Sequence, residues 1–322
     1  MLARVAENLY WLGRLLERAD NMARLTDVSF AANVEAAPPM GADEAVVAAL
    51  GQRRAFEEAR EHDPDLDARA YLVFSAEHAG SLRSTVRGAR SLARETREHL
   101  SREVFEELNR LYLELERAAS VADPDSDFAL QAFCSTVKHS TSAIQGLIDN
   151  TMLVTEGTSW LRCGVALERA DMTSRMIDTK YFVLLPEAAD VGGPIDRFQW
   201  MVLLRSVSAL EAYRKRYRGG VSGPNVARLL IYDRGFPRSL VSSVNALVAA
   251  YEEATRETPS ARRRRALREI LMLQLDLEAG TVDVAIEQGL HEFLDEVQRR
   301  LALTNEALAA DLFRAIPEGV AG

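Results

Sequence analysis

LERADNMARLTD, residues 16–27, returns as LERADMTSRMID, residues 167–178. Five consecutive residues are identical, 16–20 and 167–171. Arg24 and Asp27 then meet Arg175 and Asp178 at the same spacing of 151 residues, and Gly13 upstream meets Gly164. The words are helical. Leu2, Val5, Leu9, Leu12, Leu16, Ala19 and Ala23 recur at intervals of three and four, the period of one helix face. A repeat of this length is too long for a solenoid, whose units run to roughly 20–50 residues. No further match between the copies stands out. The expectation is therefore a single helix type used twice, the two LERAD helices packing against each other about a pseudo-twofold axis.

Nearly all the rest of the chain follows the same period. AAPPMGAD breaks the first helix near residue 35, and PEAADVGGP at 186–194 is the strongest interior break. Helices are predicted near 43–61, 67–99, 102–120 (capped by Ser101), 125–155, 158–184, 195–219, 225–232, 238–256, 260–278 and 281–314. Few alternating β-branched runs compete. The fold class is all-α, a multi-helix bundle of about ten helices in one domain over 1–322, divisible into halves 1–185 and 195–322.

Composition narrows the function. The chain of 322 residues carries a formal charge of −9, which disfavours nucleic-acid binding. The basic runs 262–265 and 214–216 have acidic neighbours and read as solvated helix faces. The two cysteines, Cys134 and Cys163, give neither a disulfide framework nor zinc spacing. Glu7 interrupts the first apolar run, so no signal peptide is read, and no window is long and apolar enough for a membrane span. A soluble cytoplasmic protein is expected. None of the five histidines has a glutamate three residues before it, so the paired Glu-x-x-His of di-iron bundles is missing and no metal or cofactor is expected. G-x-S-x-G, P-loop and G-x-G-x-x-G patterns are lacking too.

The repeated helix is the remaining candidate. Glu17, Asp20 and Arg24 share a face at i, i+3 and i+7, as do Glu168, Asp171 and Arg175. Arg14 and Asn21 of the first copy become Val165 and Met172 in the second, so the second set is expected to be more buried. Buried charges must be paired. Asp171 with Arg175 is the simplest pair, leaving Glu168 to an arginine of the first helix. Glu168 with Arg175 is a second arrangement, with Arg24 and Asp171 as competing partners. Two roles fit: ion pairs that fix helix register, or a pocket whose arginines grip a carboxylate or phosphate. Arg205, Ser208 and Glu211 form a polar stripe that could join the same interior. Asp233 and Arg238 of DRGFPRSL read either as a turn into the next helix or as groups facing a cavity. Tyr10 and Trp11 read as core aromatics.

RVAENLYWLGRLLERADNMARLTD (4–27) resembles the opening of the bacterial alpha-E domain family, a domain of unknown function. ELNRLYLEL (107–115), GVALERADMTSRMID (164–178), RSVSALEAYRK (205–215) and DRGFPRSL (233–240) continue the resemblance in order, with departures at Leu15, Thr158 and Val165. The resemblance implies neighbours among circularly permuted ATP-grasp ligases and transglutaminase-like proteins. It thereby implies a non-catalytic helical companion in peptide synthesis or tagging. The alternative is an enzyme or peptide-binding component with a pocket lined by the repeated Glu and Arg. A closed ion-pair core favours the first, and a polar cavity exposing Glu17 and Glu168 favours the second.

Overall fold

The computed structural model describes residues 1–35, 46–47, 50–121, 126–183 and 192–313. The AAPPMGAD break and most of PEAADVGGP lie outside these residues. Among the described residues the chain is a bundle of about a dozen helices with no sheet. They are α1 (Ala3–Glu35), α2 (Arg53–His62), α3 (Leu82–Glu95), α4 (Arg102–Val121), α5 (Asp127–Thr151) and α6 (Glu156–Val183). Then come α7 (Pro194–Ser206), α8 (Leu210–Arg216), α9 (Gly223–Ala227), α10 (Leu240–Ala254), α11 (Ser260–Ala279), α12 (Val282–Glu287) and α13 (Leu290–Leu308).

The two LERAD helices, α1 and α6, form the most extensive helix–helix contact of the molecule. Their backbones touch at the repeated glycines. A Cβ on Gly13 would stand 2.0 Å from the Leu161 carbonyl oxygen, and one on Gly164 would stand 2.0 Å from that of Tyr10. No side chain fits in that space. Helix α1 also packs against α3 and α5, and α6 against α10 and α13. Leu9, Leu12, Leu161, Ala170, Leu247 and Leu294 are all fully buried in one continuous core.

Three predicted helices are broken, each for a local reason. The stretch 67–99 becomes a π-helical turn (Ala70–Phe74), a loop and α3. Ser81 stops the helix from running through: its hydroxyl caps the Ser84 N–H and donates to the Ser75 carbonyl at 2.5 Å. The same device recurs after the π turn Arg228–Tyr232, where Ser239 caps Ser242 and donates to the Asp233 carbonyl at 2.6 Å. The stretch 195–219 breaks at Ser208, a non-glycine residue with φ 54°. The stretch 281–314 breaks at Gly289, φ 96°, where glycine carries no steric penalty. Ser101 caps α4 through the Val104 N–H at 3.3 Å.

Candidate functional site

The α1–α6 crossing carries a buried ionic network. Glu17 is 2% exposed and Glu168 is fully buried. One turn beyond the touching glycines, each glutamate meets the arginine of the other LERAD. Arg169 Nε and Nη2 donate to Glu17 Oε1 at 2.9 Å and Oε2 at 2.7 Å. Arg18 Nε and Nη2 donate to Glu168 Oε1 at 2.6 Å and Oε2 at 3.1 Å. Both are two-point guanidinium–carboxylate bonds, the strongest geometry for such a pair.

Each glutamate also holds a second guanidinium, from different sources. Arg14 Nε donates to Glu168 Oε2 at 2.7 Å, and its Nη1 to Asn305 Oδ1 at 2.9 Å. Its plane lies 4.9 Å from the Trp11 ring, and the buried Tyr10 hydroxyl shares Asn305 at 2.7 Å. At the position equivalent to Arg14, the second copy has Val165, which cannot serve Glu17. Arg238 serves it instead, from the loop before α10, donating to Glu17 Oε1 at 2.8 Å and Asn21 Oδ1 at 2.9 Å. Arg238 Nη2 also bonds Asp20 Oδ2. Asp20 further accepts from Arg24 Nε at 2.8 Å and the Thr141 hydroxyl at 3.0 Å, and Arg24 continues to the Ser208 hydroxyl at 2.6 Å.

The electrostatics follow from this pairing. Burial pushes the Glu17 carboxyl up, but Arg238 and Arg169 outweigh it and hold the group down to about 2. Burial likewise opposes ionisation of Glu168, and Arg14 and Arg18 reverse it to a net lowering. For Arg14 desolvation is again overcome, by Glu168, and its proton is held more firmly. All four glutamate oxygens are occupied by internal donors.

The structure brings together Glu17, Asp20, Arg24, Glu168 and Arg238, and leaves the other candidates apart. Glu168 and Arg175 are not partners: Arg175 Nε bonds both Asp171 oxygens at 3.0 Å, while Glu168 faces α1. The expectation of a more buried second set is corrected for its aspartate and arginine. The side chains of Asp171 and Arg175 are 14% and 35% exposed, against 6% and 18% for Asp20 and Arg24. Arg238 and Ser208 bond the first pair from outside its own helix, whereas Asp171 and Arg175 bond each other. Arg205 and Ser208 are both exposed, and of this stripe Ser208 alone is joined to the network, through the Arg24 bond to its hydroxyl. Asp233 holds its own loop, accepting from Gly235 N at 2.8 Å and pairing with Arg216 at 2.9 Å.

Sequence reasoning passed over Arg18 and Arg169, one position off the chosen face, although both belong to the repeated word. An arginine is long enough to reach across the close crossing that the repeated glycines create. Thr141 and Asn305 carried no sequence signal.

Among the described residues no three His, Cys, Asp or Glu side chains gather as metal ligands. No described helix is long and apolar enough to cross a membrane. Cys134 and Cys163 are buried; desolvation pushes the Cys134 thiol up to about 12 and raises that of Cys163 as well, so neither is poised as a nucleophile. The most apolar of the described cavities, about 460 Å³, lies away from the network, between Trp200, the 220–224 loop and Leu290.

Residues 1–313 match the model of a family described as Alpha-E, a predicted alpha-helical domain with a conserved ER motif. An uncharacterized protein of Mycobacterium bovis and one of Mycobacterium tuberculosis are each 26% identical over 292 residues, 83% of this chain and 31% of those proteins. The chain spans about a third of the length of these curated relatives. No solved structure matches it.

Proposed function

The chain belongs to the Alpha-E family, and from that premise we propose that it is a non-catalytic helical component acting with another protein. One observation carries this reading. The Glu-Arg residues of both LERAD words are spent on each other: Glu17 and Glu168 are buried, and each oxygen of both accepts a guanidinium N–H from within the chain. A buried carboxylate held ionised by two guanidinium groups is a poor acid and is shielded from solvent. The length of the mycobacterial relatives supports a companion role, since there the matching region is joined to twice as much additional chain.

The partner we propose is an ATP-grasp amide ligase of the circularly permuted type implied by the family resemblance, with a transglutaminase-like protein as a further associate. The setting is peptide synthesis or tagging. The test is reconstitution. The purified chain alone should neither hydrolyse ATP nor form an amide, and adding it to the ligase should change the ligase's rate or product. Turnover by the chain alone would overturn the reading. Peptide binding that Arg175→Met abolishes without loss of stability would favour the second role, a peptide or carboxylate site at the repeated helices.

We propose, in addition, that α1 and α6 are related by a pseudo-twofold axis, and that the repeat extends beyond one helix. Reciprocal contacts support this: Gly13 with Leu161 and Gly164 with Tyr10, Glu17 with Arg169 and Glu168 with Arg18. Asp27 pairs with Lys138 of α5, and Asp178 with His291 of α13. The π turn and serine-capped loop before α3 recur before α10.

A further inference from the structure

Helix α11 follows the serine-capped α10 as α4 follows the serine-capped α3. Both bury one stripe at the same spacing: Val104, Leu108, Leu111 and Leu115 in α4, Ala266, Ile270, Leu273 and Leu277 in α11. Their outward stripes, aligned on these buried positions, differ in kind. On α4 the stripe is Arg102, Glu106, Asn109, Leu113 and Glu116, and its polar members are satisfied within the chain. Arg102 bonds Glu106 at 2.6 Å, Asn109 accepts from Arg90 at 2.9 Å, and Glu116 holds Arg83 and Arg87 at 2.7 and 3.0 Å.

On α11 the stripe is Arg264, Arg268, Leu271, Leu275 and Glu278. Leu271, Met272 and Leu275 are 39%, 43% and 65% exposed and line a shallow trough of about 500 Å³ with Arg264 and Arg268. Arg264 forms no ion pair among the described residues, and Glu278 makes only a 3.4 Å contact with Arg234. Under the proposed pseudo-twofold relation α4 is the counterpart of α11, and its polar face there is satisfied within the chain, so the bundle does not require an apolar face on α11. An apolar patch with a charged rim is the mark of an interaction surface.

The order of charge along α11 selects the occupant. Arg264 lies seven residues before Leu271, and Glu278 seven residues after it. Seven residues are two helical turns, about 10.5 Å on either side. The spacing 264, 268, 271, 275, 278 is the four–three alternation of a helix-pairing seam. We propose that this face is where a second copy of the chain docks, two α11 helices pairing antiparallel about Leu271. Each Arg264 then faces Glu278 of the other copy, and Leu271, Met272 and Leu275 are covered. A parallel pair would bring arginine against arginine, so the charges fix the direction as well as the partner. This inference does not depend on the ligase reading, and its test contains no ligase.

Sedimentation equilibrium of the purified full chain over the micromolar range should give a mass that rises from one chain to two. Leu271→Asp, at an exposed position, should leave the helical signal unchanged and hold the chain at one copy. Glu278→Arg should weaken dimerisation about tenfold, and Arg264→Glu added to it should restore it to within about threefold, because the pair is only exchanged. A mass of one chain throughout would overturn the proposal, including the case in which the monomer binds an acidic amphipathic peptide instead. So would a dimer indifferent to Leu271→Asp, or a double exchange no better than the single.

Discussion

The centres around Glu17 and Glu168 are spelled with the same five residues and are finished differently. Each glutamate takes one arginine from the opposite LERAD. The second guanidinium comes from Arg14, one turn away on α1, for Glu168, but from Arg238, 221 residues along the chain, for Glu17. The aspartates diverge further. Asp20 holds Arg24, Arg238 and Thr141, while Asp171 bonds Arg175 of its own helix. A motif thus fixes the charges to be buried, whereas their satisfaction is assembled from whatever the fold brings near. The first centre ties α1 to α5, α6 and the loop before α10. The second ties α6 to α1 and, through Arg14 and Asn305, to α13.

The largest effect tests what the two centres share. Gly13→Ala and Gly164→Ala each place a carbon 2.0 Å from a backbone carbonyl oxygen. Two helices must move apart, so each variant should lose more than the ~1–3 kcal/mol of ordinary overpacking. The losses should be similar. Urea midpoints measure this, and a tolerated alanine at either site would break the equivalence.

Next comes the contrast between the aspartates. Arg238→Met strips a guanidinium from Glu17 and Asp20 together and should cost ~3–5 kcal/mol, the range for breaking a buried pair. Arg175→Met removes the partner of a part-exposed Asp171 and should cost only ~0–1 kcal/mol. It should be additive with Glu168→Leu. Equal losses from the two arginine variants would erase the difference drawn here.

Acidification has a smaller effect on stability. Glu17 is lowered from 4.5 to about 2 in the folded chain, and Glu168 is lowered too. The unfolded chain therefore binds more protons over that interval. The stabilisation is complete above pH 4.5 and is lost as pH falls toward 2. Glu17→Gln should flatten that part of the stability curve.

The smallest effect separates the tails of the repeated helices. Asp27 pairs with Lys138, but Asp178 pairs with His291, whose proton is held more firmly through that hydrogen bond. This contribution is full below pH 6.5 and fades as pH rises through the higher folded value. His291→Gln should remove a slight decline in stability above neutrality, and Lys138→Gln should not.

Much of this was legible in the sequence. The period of three and four gave the helices, and the constant spacing of 151 residues gave the pairing of α1 with α6. The repeated Gly13 and Gly164 marked where the backbones meet, a meaning that emerges only when both are placed at one crossing. What could not be read were the partners from distant chain. Arg238 reads as a candidate within DRGFPRSL, but the turn chemistry of Pro237 and Gly235 explains that loop without pointing to Glu17 or Asp20 as its partners. Asn305 and Thr141 look like ordinary helix residues. The breaks at Ser75–Ser81 and Ser208 were missed because they depend on side-chain hydroxyls that bind backbone or Arg24 rather than on glycine or proline.

The repeated Glu-Arg words cross-link two helices. A double-mutant cycle on Arg18→Met and Glu168→Leu, read by urea unfolding, tests it most directly. Each single change should be costly and the double variant should recover part of the loss, a coupling of about 2–3 kcal/mol. Additive losses, with no coupling between Arg18 and Glu168, would contradict it.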